Sequence, residues 1–486
     1  MAYAGRLLTV ALCASCLIGI SWYPWHPSPL VRAGSALAAA TLVLWVSEIA
    51  SPGVVAVFIP MAAGLMGILP WKDALTAWGD QIVFLFLGSF LLARALDKFG
   101  LFDGVLTSSW MRRMDWGGGM GHVLLILGVS SVLSTVQNNT AVTAMLLPPV
   151  VALARRSVAP GALALALSYG ATFGGMATPV GTAPNLIGYA RMQALDPSVS
   201  FLSWMWVGVP VWAGTGLIGW AALAIVRRHA SAPITAEVAA AMPTPGPARP
   251  EHAAGELRVE RDPGESIARR SGLRWAVAAA LATIATWLTC SFITTSLPAG
   301  EPTRVWVEKN LHESLPAMAA VWLLFLVPLS GTRRTVLDRR DFQALDWDTL
   351  FLIAGGLCMG KVIERSGAAE ALAQAVGQTQ MSPLLLMFAL GGVAVLLSEL
   401  ISNTATAALL VPVAASLAPA VGLPPVQTIW LVALCASLGF ALPVSTPPNA
   451  IVYGTGLIRF RYMLITGIVV DVLALSWVVF CVRVLA

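Results

Sequence analysis

Charge is scarce in this chain. Only 11% of its 486 residues are Asp, Glu, Lys or Arg, while 57% are hydrophobic and the mean hydropathy is +0.79. A soluble globule of this size needs far more polar surface, so the composition excludes one and points to an all-α polytopic membrane protein. The formal net charge is only +5, and the basic residues fall in short clusters between apolar runs. That distribution follows the rule that places basic loops in the cytoplasm, and does not suggest nucleic-acid binding. Histidine is rare, with five isolated residues, which leaves a metal site or His-based catalysis without support. Cysteine is sparse as well: Cys13, Cys16, Cys290, Cys358, Cys435 and Cys481 are scattered through apolar segments without metal-ligand spacing. They read as small buried side chains, not as a disulfide framework. No nucleophile is paired with a base or a metal, so an intramembrane enzyme finds no machinery here, and no organic cofactor is implied.

What the chain does have is one unit written twice. The stretch S-T-V-Q-N-N-T-A-V-T-A-M-L-L-P-P-V (Ser134 to Val150) returns as S-E-L-I-S-N-T-A-T-A-A-L-L-V-P-V (Ser398 to Val413). Asn138-Asn139-Thr140 aligns with Ser402-Asn403-Thr404 at an offset of 264, and P-V-G-T-A-P-N (Pro179 to Asn185) aligns with P-V-S-T-P-P-N (Pro443 to Asn449) at the same offset. Upstream, Phe86 to Gly100 aligns with the stretch from Leu352 at an offset of 267, pairing Gly88 with Gly355 and Gly100 with Gly367.

Reading in order, the apolar run Leu7 to Trp22 after Arg6 is a first helix that is kept, with Trp22, Tyr23 and Trp25 as interfacial anchors; no small-residue cleavage site follows it. Spans follow at about 30–46, 54–69 and 82–96. The apolar block from His122 to Ala154 is flanked by Arg112, Arg113 and Arg155, Arg156. Basic pairs on both sides put both ends in the cytoplasm and make 122–156 a re-entrant hairpin with its tip at Asn138 to Thr140. The span at 162–189 is interrupted at Thr178 to Asn185, and 204–226 follows. A Pro-, Ala-, Glu- and Arg-rich stretch then reads as a flexible cytoplasmic linker over 229–272. The second half repeats the order: spans at 273–293, 317–329 and 350–363, a hairpin over 383–418 with its tip at Ser402 to Thr404, a span at 428–453 broken at Pro443 to Asn449, and a last span at 463–484. This gives about eleven transmembrane helices and two re-entrant hairpins in inverted repeats, with the amino terminus in the cytoplasm and the carboxyl terminus outside. The expected units are 1–78 (scaffold), 79–228 (first repeat), 229–272 (linker), 273–346 (scaffold) and 347–486 (second repeat).

Non-helical backbone survives in hydrocarbon only where protein or water surrounds it, so two tips and two broken helices imply a shared polar cavity. Unpaired N–H groups at helix amino ends suit an anion. Unwound carbonyls with Ser, Thr and Asn oxygens suit a hard cation such as sodium. A single Ser-Asn-Thr triplet is as readily helix-packing glue, but its recurrence beside Pro-broken segments favours a site. Gly88, Gly355 and Gly356 read as close-packing positions. Glu48, Asp97, Lys98 and Glu364 read as interfacial. Glu399 is an acid inside a span whose counterpart in the first copy is Thr135, which leaves a structural and a coupling role both open.

The doubled triplets, the T-P-P-N segments, W-V-S-E-I-A from Trp45, F-L-F-L-G-S-F from Phe84 and F-L-I-A-G-G-L from Phe351 resemble the divalent anion/sodium symporter family, which carries dicarboxylates, citrate and sulfate. The resemblance spans nearly the whole chain outside the linker. It implies a homodimer in the inner or plasma membrane, with a transport domain moving elevator-fashion against a scaffold. It also implies that Asn139, Thr140, Thr182, Asn403, Thr404, Thr446 and Pro447 hold the substrate. One sodium site would use Ser134, Asn138, Asn139 and Gly181, the other Ser398, Ile401, Asn403 and Ser445. Two positions depart from the family: Asn138 stands where it has Ser, and Ala183 where it has the first Pro. The expected function is sodium-coupled symport of a divalent anion, a C4-dicarboxylate first (succinate, malate or fumarate). A sulfate or other oxyanion carrier, a citrate transporter, a sodium-independent dicarboxylate exchanger and an anion channel are the alternatives.

Overall fold

The computed structural model describes residues 11–47, 49–100, 119–154, 157, 159–230, 263–298, 300–332, 334–377 and 381–486. The described residues are helical throughout apart from turns and loops, and their single β pairing is an isolated bridge between Pro328 and Thr335. Helices dominate because a helix satisfies its backbone groups within one segment, the condition an apolar medium imposes. Arg6, Glu48, Arg112, Arg113, Arg155, Arg156 and Arg333, together with most of the expected linker, lie outside the described residues.

The first half contains α1 (Pro29–Ser47), α2 (Pro52–Leu65), the short α3 (Trp71–Leu75) and α4 (Gln81–Lys98). Then come α5 (Met120–Ser134), α6 (Asn139–Ala154), α7 (Pro160–Gly175), α8 (Ala183–Leu195) and α9 (Phe201–Ala230). The second half contains α10 (Pro263–Ser296), α11 (Pro302–Asn310), α12 (Ser314–Leu326), α13 (Arg339–Gln343), α14 (Trp347–Ser366) and α15 (Ala368–Gly377). It closes with α16 (Pro383–Leu400), α17 (Asn403–Ala420), α18 (Pro425–Cys435), α19 (Pro447–Tyr453) and α20 (Phe460–Leu485). Among the described residues, five helical stretches are long and apolar enough to cross a membrane: 71–98, 201–225, 267–294, 383–400 and 460–485. Eight shorter apolar helices accompany them, including α5, α6, α17 and α18.

Three boundaries differ from the sequence expectation. The helix α10 begins at Pro263, so residues 263–272 are helical where a flexible linker is expected. The later prolines of the two broken helices begin the second half-helix: Pro184 sits in the first turn of α8, and Pro447 and Pro448 in that of α19. Proline is tolerated there because the first N–H groups of a helix have no partner within it. The joints are accordingly 176–182 and 436–446; they hold Pro179 and Pro443 and begin and end earlier than the expected interruptions. The hairpin turn is likewise 135–138, and Asn139 and Thr140 already belong to the first turn of α6.

Packing around the joints is close. The helix α7 is buried along its whole length and lies against α5 so tightly that a Cβ on Gly174 would stand 1.9 Å from the Ser131 carbonyl oxygen. The two halves interlock at the same place. Tyr169 and Phe173 of α7 meet Phe440 of the second joint with ring centroids 4.9 and 4.8 Å apart, and the Ser168 hydroxyl donates to Asn449 Oδ1. Away from this core, Lys98 of α4 pairs with Asp341 of α13 at 2.6 Å, and Arg191 of α8 pairs with Glu364 of α14 at 3.0 Å.

Candidate functional site

Each hairpin turn touches the joint of its own copy, and the two copies do so through equivalent residues. In the first, the Ser134 hydroxyl donates to Asn139 Oδ1 at 2.6 Å. A Cβ added to Gly175 would meet that same Oδ1 at 2.7 Å and the Gly181 carbonyl at 3.2 Å. Ser134, Asn139, Gly175 and Gly181 therefore form one cluster. In the second copy Ser398 donates to Asn403 Oδ1 at 2.6 Å and reaches the Ala436 carbonyl at 2.8 Å. A Cβ on Gly439 would lie 3.3 Å from the Ser398 hydroxyl and 3.6 Å from Ser445. Ser398, Asn403, Gly439 and Ser445 each stand at the common repeat offset from their counterparts in the first cluster.

The joints keep their shape through two asparagines that stand outside the candidate ligand set. Asn185 Nδ2 donates to the carbonyls of Gly175 and Thr178 at 2.9 and 2.8 Å. Asn449 Nδ2 donates to those of Gly439 and Leu442 at 3.1 and 3.0 Å. Both side chains are fully buried. Unwound carbonyls in an apolar interior need such donors, because an unpaired buried polar group costs about 1–3 kcal/mol. The signal was present in the sequence as the shared final letter of the two P-N motifs.

The remaining candidates divide by exposure. Asn139, Thr140, Thr182, Asn403 and Thr404 are half-buried, while Asn138, Ser402 and Pro447 are exposed. Thr446 is buried, and its hydroxyl accepts from the Asn449 N–H as the cap of α19. Ile401 is buried at the end of α16, where the chain turns extended. The two tips differ in how they cap the following helix. Ser402 Oγ accepts from the Ala405 N–H, whereas Asn138 Oδ1 accepts from the Thr140 N–H at 2.8 Å. The Asn138 side-chain oxygen is thus engaged at the start of α6. A cleft of about 260 Å³ lies beside the second tip, lined by Trp45, Ser51, Pro52, Ser402 and Ala405 among others.

Glu399 is the residue whose role the sequence left open. Its carboxylate accepts from the Ala441 and Leu442 N–H groups at 2.7 and 2.9 Å, which fastens α16 to the second joint. The first copy joins the same two positions without charge: the Thr178 hydroxyl donates to the Thr135 carbonyl.

Known proteins show the same architecture. Two solved transporter structures share the fold: MtrF of Neisseria gonorrhoeae, described in a study of antimetabolite efflux pumps (TM-score 0.55, 12% identity, covering 92% of this chain and 98% of that one), and the YdaH transporter of Alcanivorax borkumensis (TM-score 0.52, 15% identity, 99% and 97%). Similar sequences include the sodium-dependent dicarboxylate transporter SdcS of Staphylococcus saprophyticus, 27% identical over 90% of this chain and 82% of its own length. The protein of the same name from Staphylococcus aureus is also 27% identical, over 97% and 89%. An uncharacterized transporter of Haemophilus influenzae is 28% identical over 91% and 89%. The profile of the citrate transporter family, CitMHS, matches residues 42–434. With most of its length inside that match, the chain belongs to the citrate transporter family, a family of membrane transporters and not of enzymes, in keeping with its resemblance to the divalent anion/sodium symporters.

Proposed function

We propose that this chain is a secondary active transporter that carries a small divalent anion together with sodium, and that the anion is a C4-dicarboxylate such as succinate, malate or fumarate. The doubled cluster of Ser134, Asn139, Gly175 and Gly181 with Ser398, Asn403, Gly439 and Ser445 is the observation that supports it most. Asn139 and Asn403 open the helices α6 and α17, whose amino ends offer unpaired N–H groups and the positive end of the helix dipole to a carboxylate. Hydroxyl, amide and backbone carbonyl oxygens beside them make the donor set a hard cation takes. In this reading Asn139, Thr140, Thr182, Asn403, Thr404, Thr446 and Pro447 surround the substrate. One sodium lies among Ser134, Asn138, Asn139 and Gly181, and another among Ser398, Ile401, Asn403 and Ser445. The staphylococcal relatives are named for sodium-dependent dicarboxylate transport and the family for citrate, which is the same class of cargo.

The wider picture rests on the internal repeat. The units 79–228 and 347–486 form inverted repeats and move as a transport domain against a scaffold of 1–78 and 273–346, in a homodimer whose amino termini face the cytoplasm and carboxyl termini the outside. One observation favours a variant of this reading. Asn138 stands where the family has Ser, and its side-chain oxygen caps α6 through the Thr140 N–H, so the first sodium site differs from the second; in that variant coupling uses fewer sodium ions or gives way to dicarboxylate exchange.

The deciding experiment is uptake of labelled succinate, citrate and sulfate into proteoliposomes, each with and without an inward sodium gradient. Saturable succinate uptake that needs the gradient supports symport. Equal uptake without sodium overturns it in favour of exchange, and uptake of sulfate alone overturns the dicarboxylate assignment.

A further inference from the structure

One acid away from the candidate site ties two parts of the chain together. Glu313 stands in the turn before α12. Its carboxyl group accepts from the Tyr189 hydroxyl, which lies 2.7 Å from Oε1 and 2.6 Å from Oε2, and from the Phe201 N–H at 2.9 Å. Tyr189 belongs to α8 and Phe201 opens α9, so a single side chain of the 273–346 unit holds both helices that follow the first joint. The backbone of Glu313 is fastened too: the Trp287 indole of α10 donates to its carbonyl at 2.8 Å, and the Trp287 ring stacks on Phe201 with centroids 4.7 Å apart. Tyr189 and Trp287 are buried in this contact.

Among the described residues, every hydrogen bond between α8 or α9 and residues 273–346 ends on that carboxyl group. The remaining ion-paired group of α8, Arg191, binds Glu364 of α14 in the other repeat. Lys98 and Asp341 tie the first repeat to 273–346 a second time, but from α4, ahead of the hairpin. Among the described residues no Lys, Arg or His forms an ion pair with Glu313. An acid held by neutral donors alone is released without leaving a buried cation unpaired.

The arm also carries a replacement partner. Gln193, one turn beyond Tyr189, donates through Nε2 to the Tyr189 oxygen at 2.9 Å and to the Val199 carbonyl at 3.1 Å, while its Oε1 is buried with no partner. A buried oxygen left unpaired is unfavourable. With the amide turned over, that oxygen accepts the Tyr189 O–H once Glu313 gives it up, so the one polar atom unsatisfied in the present arrangement becomes satisfied in the released one.

We propose that Glu313 is a latch that holds the arm 183–201 of the first repeat against the scaffold in this conformation. The proposal rests on the reading that 79–228 moves against 273–346. The move begins when Tyr189 and the Phe201 N–H leave Glu313, Tyr189 turns to Gln193, and Phe201 slides off Trp287. Because α8 starts at Ala183, directly after Gly181 and Thr182, the first joint travels with the arm. The latch therefore sets how the protein divides between its two conformations.

Paired spin labels read that division in the full-length protein in lipid vesicles, whatever the transported solute. One label is attached at Leu195→Cys, at the end of α8, and one at Trp306→Cys on α11, both exposed positions, in a chain whose six native cysteines are replaced by alanine. In Tyr189→Phe and in Glu313→Ala a second distance should gain on the parent's main one by about tenfold or more, since each change removes a hydrogen bond to a charged group. Tyr189→Phe loses only a hydroxyl and reports even where Glu313→Ala fails to fold. A second distance that grows in the parent on adding succinate and sodium, with the parent's proportions unchanged in the variants, overturns the latch and leaves the moving-unit reading in place. A single, common distance in all three proteins, with and without succinate and sodium, overturns both.

Discussion

The Ser398 hydroxyl donates to Asn403 Oδ1 at 2.6 Å, and in the first copy Ser134 makes the same bond to Asn139 at the same length. The bond links the last turn of one hairpin arm to the first residue of the next, so it fixes the tip and aims the asparagine. With Oδ1 taken by the serine, the second amide turns Nδ2 toward the Ser437 carbonyl at 3.4 Å. Replacing Ser398 by Ala removes a buried hydroxyl that serves both Asn403 Oδ1 and the Ala436 carbonyl, worth about 1–2 kcal/mol, and releases the amide. The expected result is a rise in KM for the transported anion with a small drop in melting temperature.

Removing the candidate ligands acts on transport and not on folding. Asn403→Ala and Thr404→Ala are expected to abolish succinate uptake while leaving the melting temperature within a few degrees of the parent, because both side chains are half-buried at the tip. Retained uptake in either variant removes that residue from the site.

The joint clamps should behave in the opposite way. Asn449→Ala strips donors from the carbonyls of Gly439 and Leu442 and an acceptor from Ser168. Asn185→Ala strips donors from two carbonyls only, its Oδ1 having no partner. At about 1–3 kcal/mol for each buried group left unpaired, both variants lose stability, Asn449→Ala more. Thermal denaturation in detergent measures the order, and a smaller loss for Asn449→Ala contradicts the clamp.

Close helix packing supplies a third test. Gly174→Ala drives a methyl into the Ser131 carbonyl and is expected to cost about 1–3 kcal/mol. Gly128→Ala, on the facing helix α5 with open space where its Cβ would lie, should be neutral or stabilising by up to about 1 kcal/mol. Equal effects of the two would mean that α5 and α7 do not touch as described.

Glu313, in the turn before α12, gives a pH signature. Burial pushes its carboxyl up to about 7, against the opposing pull of the hydrogen bonds from the Tyr189 hydroxyl and the Phe201 N–H. The folded state therefore holds a proton that the unfolded chain releases above the ordinary carboxyl range. The stabilisation from this group is present below about pH 4.5 and is lost as pH rises through 7. Glu313→Gln should remove that slope, which is worth about 3 kcal/mol, and melting curves at acidic and alkaline pH compare the two proteins. A wild-type slope unchanged in the variant places its origin elsewhere.

The repeat was legible because it is a matter of letters at a fixed offset, and so was the position of each hairpin turn to within a few residues. The bounds of the joints are harder to read, because one proline in each motif, Pro179 or Pro443, lies in the interruption while Pro184 and Pro447 start the next half-helix. The short helices α3, α11, α13 and α15, five to ten residues each, are too short to read as spans. The partner of Glu399 was out of reach for another reason. Its acceptors are satisfied by backbone N–H groups more than forty residues away. No local pattern encodes a contact of that kind. Asn138 carries a contact of the opposite kind, a local one: its side-chain oxygen caps α6 two residues on.

From Ser134 to Asn185 the chain runs as many residues as from Ser398 to Asn449, so the length between tip and clamp acts as a ruler that both copies share. Since one extra residue turns everything beyond it by about 100° on a helix, an insertion within α7 or α18 would swing the joint away from the tip it meets. Point changes leave that spacing alone, and the connections between helices can absorb an extra residue; the helices themselves cannot.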